Sequence, residues 1–342
     1  MDRMDWHWYR QNEKNEAVLL RVFGTCPEVF LPERIGGMPV TELSRYCFSE
    51  KESYTGEEKF LLIAKGDAPA EQEEKALFYE LLWKGEICAL AGDFITSVFF
   101  PGKLKKIGDL AFYQCHHLES IFLGSGEILP GSDAFMNCLK LKKFFLYTSP
   151  GRPTGLRQIL AQRSMETEVY FLSEKEMVTA AVLFPEYSER YDLIGPAHIF
   201  ELNIEGEGFR ARQCFENGVF LFSFYDRIFP QACDTEEEIT LCKMAMLRLR
   251  YPFLLTAKAE EDYRSYLFSH LDCLFQEMIR ERDLELLRFF EEQEAVDEKQ
   301  FERCLETAVE AQWIEGVRLL LSWKEEWRKE KKEDFYEFEE FS

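Results

Sequence analysis

The sequence predicts a mixed α+β fold in three parts: an N-terminal β-solenoid, a small antiparallel β meander and a C-terminal α-helical unit. Three observations carry that prediction. A 23-residue repeat sets Ala111-Phe112, Cys115, Leu118, Ile121 and Leu123 against Ala134-Phe135, Cys138, Leu141, Phe144 and Leu146. Residues 198–225 contain strand-like runs separated by glycine turns. From Thr235 onward the apolar residues take helical spacing.

The repeat comes first because a unit of this length cannot bury its apolar face alone and must stack on its neighbours. In phase, the copies read Ile95-x-x-Val98-x-Phe100, Leu118-x-x-Ile121-x-Leu123 and Leu141-x-x-Phe144-x-Leu146. Turns at Pro101 and Gly124 separate these strands from Ile107-Gly108-Asp109-Leu110-Ala111-Phe112 and from Leu129-Pro130-Gly131-Ser132-Asp133-Ala134-Phe135. An earlier copy runs Val29-Phe30-Leu31-Pro32, then Ile35 to Leu43, then Cys47-Phe48, and its Val29 precedes Val98 by 69 residues, three periods. Val169-Tyr170-Phe171-Leu172 forms a later, degenerate strand. These segments resemble the BspA-type leucine-rich repeats of bacteria and some protists, closely over 95–146 and partially over 18–48. Members of that family are commonly surface adhesins or interaction proteins with signal peptides; the resemblance implies a leucine-rich-repeat solenoid that presents a surface, and adhesion is not carried over because no signal pattern is seen.

Residues 49–94 break the rhythm and read as an insertion or as diverged repeats. Within them Phe60 to Ile63 suits a strand, and Ala70 to Trp83 a helix with Ala76, Leu77, Leu81 and Leu82 on one side. In the second half, Ile199–Ile204, Phe209–Phe215 and Val219–Phe224 read as the three strands of the meander, with turns at Gly206/Gly208 and Asn217-Gly218. Thr235-Glu236-Glu237-Glu238 has the form of a capping box opening a helix that runs to about Arg250, where Tyr251-Pro252 ends it. Leu284 to Phe290 aligns with Ile314 to Leu320 at an offset of 30 residues, which resembles a degenerate ankyrin-type pair of helical hairpins. Phe184-Pro185-Glu186-Tyr187, Pro196 to Glu201 and Arg212-Gln213-Cys214-Phe215 are similar to regions following leucine-rich repeats in uncharacterised gut-bacterial proteins, a resemblance that brings no activity. The expected domains are 1–172 (the solenoid, interrupted at 49–94), 173–234 (linker and meander), 235–330 (the helical, ankyrin-like unit) and 331–342 (an acidic, aromatic tail).

Composition bounds the function classes. Aromatic residues make up 15% of the chain and Phe alone fills 31 positions, enough for real cores. The net charge of −22 leaves no surplus of Lys and Arg to displace counterions from phosphates, so nucleic acid is not an expected partner. Residues 1–172 carry net −4 and residues 173–342 net −18, as expected for units with different surfaces. No apolar run approaches the roughly 18 residues of a membrane helix, so no membrane partner is expected. The first ten residues lack the pattern of a secretory signal, and the ten cysteines contain no CxxC pair, which reads as reduced thiols in a cytoplasm.

Catalytic chemistry has little support. Five histidines are present, with no G-x-S-x-G and no phosphate-cradling loop. Gly124-Ser125-Gly126 and Gly206-Glu207-Gly208 read as turns. Cys115-His116-His117 reads as one packed cysteine and two loop histidines, because zinc needs four converging ligands. No catalytic, cofactor or metal residue is assigned.

One surface does stand out. In an L-x-x-L-x-L strand the L side chains point inward and the x between the last two points outward, because strand side chains alternate. That slot holds Phe99, Phe122 and Phe145, with Phe30 before them and Tyr170 after. Strands about 4.8 Å apart would stack these rings into a ladder, edged by Lys142 and Lys143. Such a stripe exceeds the apolar patch most monomers leave in water. Its cover is either the acidic, Phe-rich second half, slightly the favoured alternative, or a partner protein or peptide that is acidic and carries aromatic anchors. The tail from Glu333 to Phe341 has that same character. The expected function is a non-catalytic interaction scaffold, with a surface adhesin as the alternative and an enzyme within 173–330 as a distant third.

Overall fold

The computed structural model describes residues 5–51, 61–194, 199–293 and 296–325. Phe60, Pro196, His198 and the tail 331–342 lie outside the described residues. Two units emerge, residues 1–231 with 251–255, and residues 232–250 with 256–342.

The first unit opens with an antiparallel pair, β1 (Trp6–Gln11) and β2 (Ala17–Gly24), followed by β3 (Glu28–Phe30), β4 (Arg34–Ile35) and β5 (Met38–Leu43). An excursion supplies β6 (Leu62–Lys65), β7 (Ala68–Pro69), α1 (Gln72–Lys84) and β8 (Cys88–Ala89). The repeats then give β9 (Ser97–Phe99), β10 (Lys106–Ile107), β11 (Ser120–Leu123), β12 (Leu129–Pro130) and β13 (Lys143–Leu146), and after α2 (Leu156–Leu160) come β14 (Thr167–Leu172) and β15 (Val178–Phe184). Each repeat feeds two ladders. β3, β9, β11, β13 and β14 run parallel in a six-stranded sheet that β15 closes antiparallel. β5, β10 and β12 run parallel in a nine-stranded sheet extended by β2, β1, β6 and β7.

The repeat sequence dictates this stacking. Ile95, Val98, Leu118, Ile121, Leu141 and Phe144 are fully buried, as the leucine slots require. Phe48, Phe112 and Phe135 stack at 4.8 and 5.2 Å inside the core, and backbone bonds from Phe48 N to Ala111 O and Phe112 N to Ala134 O lock one turn onto the next. Left-handed residues recur with the period: Leu110 and Asp133 at φ 54° and 51°, Gln114 and Asn137 at 61° and 62°. Cys115 and Cys138 donate their thiols to the Phe48 and Phe112 carbonyls at 3.2 and 3.1 Å, so these cysteines are packing residues.

Three sequence expectations need correction. α1 buries Phe78, with Leu81 and Leu82 packed partly against the Trp6–Phe23 cluster, and leaves Ala76 and Leu77 exposed; the helix turns a different face inward because Phe78 offers the larger apolar area. The meander is not formed. β17 (Ile199–Glu205) pairs with β16 (Ser188–Ile194), while Gly208–Ala211 form a short helix, α3. β18 (Phe215–Glu216) and β19 (Val219–Phe220) make only a two-residue hairpin through the left-handed Asn217-Gly218, followed by α4 (Phe222–Asp226) and α5 (Phe229–Ala232). The buried positions Gly208, Ala211 and Arg212, then Phe222, Tyr225, Asp226 and Phe229, recur at three to four residues, so helical period prevails over the apparent alternation. Finally, the helix expected at Thr235 begins at Glu238, since Thr235 and Glu236 donate their amides back to the Ala232 carbonyl in a turn.

The second unit is helical: α6 (Glu238–Arg250), α7 (Ala257–Ser269), α8 (Leu271–Glu281), α9 (Leu284–Glu292) and α10 (Glu298–Glu310), with residues 314–325 also helical. Thr256, Asp283 and Asp297 cap three of them through their side-chain oxygens. The 30-residue offset reappears in the turns, where Arg282 and Gln312 are both left-handed, at φ 55° and 53°.

Candidate functional site: the outer face of the parallel sheet

The parallel register places Phe30 beside Phe99, Phe99 beside Phe122, Phe122 beside Phe145 and Phe145 beside Tyr170. Their rings stack at 4.0, 4.0, 4.5 and 4.9 Å with interplanar angles of 9°, 12°, 9° and 15°. All five ring residues read from the repeat slot therefore come together in one column. Phe30 at the β3 end is 48% exposed; Phe99, Phe122, Phe145 and Tyr170 are half-buried. At the far end Tyr251 meets Tyr170 edge-on, at 6.5 Å and 81°. Because the faces of inner rings are turned on one another, the column presents ring edges outward, and the edge is the electropositive part of an aromatic quadrupole.

The neighbouring outward row along the strands is Glu28, Ser97, Ser120, Lys143 and Glu168. Ser97 and Ser120 share a hydrogen bond of 2.8 Å, and the Tyr170 hydroxyl donates to Glu168 Oε2 at 2.6 Å. Lys143 opens β13 and Lys142 precedes it; both are exposed, and neither makes an ion pair among the described residues.

On the opposite flank, where the parallel strands end, the turns enclose a cleft of about 840 Å³. Phe100, Leu172 and Phe253 supply its apolar wall. The Thr148 hydroxyl there is buried without a hydrogen-bond partner among the described residues, and exposed Arg152 makes no ion pair among them. Glu33 accepts a bond from Gly102 N at 2.7 Å, and burial, with Glu176 nearby, pushes the Tyr147 phenol above its ordinary range. Neither Tyr251 nor this cleft was evident from the repeat. Tyr251 lies far along the chain, and the cleft lies in turns whose residues do not repeat.

The other residues singled out by sequence are held in the scaffold. His116 and His117 direct their Nδ1 atoms at Asp93, one at its carboxylate (2.8 Å) and one at its carbonyl (2.9 Å), whereas buried Cys115 turns away to Phe48. The adjacent Cys138 thiol and burial push the Cys115 thiol well up. No group of three or more His, Cys, Asp or Glu able to hold a metal ion occurs among the described residues. Phe184 to Tyr187 and Arg212 to Phe215 interlock: Arg212 lies over Tyr187 at 5.0 Å and donates to the Pro185, Gly208 and Met165 carbonyls at 2.7, 2.8 and 2.7 Å. Burial brings its guanidinium down to about 10.

The stacked strands and the column define a repeat surface. Residues 88–152 match the family described as BspA type leucine rich repeat region (6 copies). The match spans β8 to β13 and the turn after it, and includes Phe99, Phe122, Phe145, Lys142 and Lys143. No curated protein and no solved structure matches the chain. No helix among the described residues is long and apolar enough to cross a membrane.

Proposed function

We propose that the chain is a non-catalytic protein-interaction module, cytoplasmic in location, whose recognition face is the ring column Phe30–Phe99–Phe122–Phe145–Tyr170 with Lys142 and Lys143 beside it. The observation that carries this reading is the column itself: five aromatic rings in register on the outer face of a parallel sheet, still partly open to water. Most monomers do not leave such a continuous apolar strip uncovered. The leucine-rich-repeat match over 88–152 supports an interaction or adhesin-like role. The electropositive ring edges and unpaired lysines favour an acidic protein or peptide, with aromatic side chains to supply buried area and charge to steer the encounter.

The test compares the protein with its Phe99→Ser/Phe122→Ser/Phe145→Ser variant in capture from the source cell's lysate, with thermal melts of both. A variant that melts normally and loses a partner by about tenfold or more marks the column as the binding face. A variant that melts far lower marks the column as internal packing and removes the proposal.

A further inference from the structure

We propose that two copies of the chain pair through the free edge of β16, antiparallel and centred on Tyr191, so that two ribbons become one four-stranded sheet. This contact is separate from the ring column and does not depend on it.

The ribbon of β16 and β17 has long, uncovered edges. Its strands pair with each other over seven residues and with no other strand among the described residues. Residues 188–192 are all exposed, and of residues 201–205 only Asn203 is partly covered. The end strands of the two large sheets differ. β7 and β12 are two residues long and finish in proline, and β3 has three residues. β15 is buried from Ala180 to Phe184, and the Tyr225 hydroxyl donates to its Leu183 carbonyl. Short strands, proline and cover keep an edge from pairing with another chain, and neither strand of the ribbon has them. A two-stranded ribbon is also marginal in water by itself, whereas three or more strands with an apolar face support themselves.

Charge is the remaining guard, and on β16 it favours pairing. The net charge of −22 opposes self-association, so an edge that meets its own copy has to bring a cation. β17 carries only Glu201 and Glu205, whereas β16 carries Arg190 together with Glu189 and Asp192. With the pair centred on Tyr191, Arg190 of each copy lies opposite Asp192 of the other, and Tyr191 opposite Tyr191. Glu189 and Ser188 then fall opposite the uncharged positions Leu193 and Ile194. Centred one residue to either side, two arginines or two aspartates would face each other, which destabilises a strand pair. Asp192 also gains a partner it lacks. Within the ribbon it lies opposite Glu201, another acid, and accepts from Asn203 Nδ2 at 2.9 Å. Neither of those carboxylates makes an ion pair among the described residues. Arg190 is held among them only by Glu205, at 4.0 Å and with both side chains more than two-thirds exposed. Side chains alternate along the strands, so Tyr191 and Leu202, 65% and 44% exposed, share the other face. Across the joined sheet they form the apolar row Leu202–Tyr191–Tyr191–Leu202.

Sedimentation velocity of the intact chain, in about 0.15 M salt and over about 1–200 μM protein, reads the association directly. A monomer–dimer equilibrium is expected, with a dissociation constant on the order of 10 μM, as suits an interface smaller than those of stable complexes. Arg190→Asp and Asp192→Arg should each weaken it at least about tenfold, because each sets like charges face to face twice. The double variant Arg190→Asp/Asp192→Arg restores both pairs and the net charge of −22, so its dimer should return to within about threefold of the native one. Asp192→Arg separates this from bulk repulsion, since it makes the chain less acidic and yet should dissociate it. Both positions are exposed, so melting temperatures should stay close to native. A chain monomeric throughout that range, a dimer indifferent to the reversals, or a double variant no better than its singles would each overturn the proposal. A dimer lost instead with Phe99→Ser/Phe122→Ser/Phe145→Ser would give the second copy to the ring column and overturn it too.

Discussion

His7 on β1 is sealed between β2 and β6, with Nδ1 3.0 Å from the Gly66 carbonyl and Nε2 buried without a hydrogen-bond partner among the described residues. A carbonyl can only accept, so Nδ1 carries the proton and the ring is neutral. Burial lowers its pKa from 6.5 to about 4, against which the Gly66 contact is a smaller, opposing effect. The unfolded chain therefore binds a proton at higher pH than the folded one. The stabilisation is complete above about pH 6.5 and is lost as pH falls from there towards 4, at about 1.4 kcal/mol per pH unit. Urea midpoints between pH 7 and pH 4.5 should fall more steeply for the native protein than for His7→Asn, which keeps a donor near the Gly66 carbonyl and has no proton to gain. Parallel pH profiles would remove His7 from the account. Nothing in the local sequence distinguishes this histidine from a surface one, because its burial depends on β6, more than fifty residues later.

Among the elements, α2 shows how closely successive repeats meet. Gly155 opens this helix at φ +76°, and a Cβ there would lie 1.8 Å from the Ile128 carbonyl oxygen. Gly155→Ala is expected to cost more than about 2 kcal/mol in chemical denaturation, combining backbone strain with displacement of the Ile128 backbone that leads into β12. Gly151→Ala, where a new Cβ meets nothing within 4 Å, serves as the near-neutral control. The repeats were legible because each slot asks the same thing of its residue every time: Phe112 and Phe135 fill one buried column, Phe99, Phe122 and Phe145 another at the surface. Residues 173–234 were not, because each of their elements is formed once. β15 was missed outright although it reads as a strand, since only its antiparallel pairing with β14 gives it a place. α4 was missed because Phe220, Phe222 and Phe224 look, within five residues, like an alternating strand, and α3 because a single turn of four residues is too short to show a helical period.

For the molecule as a whole, the contrast between units is one of sequence distance. In the first unit, besides adjacent pairs such as β1–β2 and β14–β15, the parallel sheets join strands far apart along the chain, β3 beside β9 and β5 beside β10, whereas α6, α7 and α8 pack on near neighbours. Closing long loops slows folding, so the first unit should refold at least about tenfold more slowly than the second. Stopped-flow fluorescence can separate them, with Trp6 and Trp8 reporting on the first and Trp313 and Trp323 on the second, in variants that retain one pair. Equal rates would show that the two fold as one. A last consequence concerns the excursion that leaves the parallel sheet after β3 and returns at β9. Its described residues carry β4 to β8 and α1, yet Phe30 and Phe99 stack at the same 4.0 Å as Phe99 and Phe122, which are separated by one plain repeat. The spacing of the rungs is thus indifferent to what the chain does between them. A lineage could add or remove whole 23-residue units, and so lengthen or shorten the strip one ring at a time, without redesigning either end of the sheet.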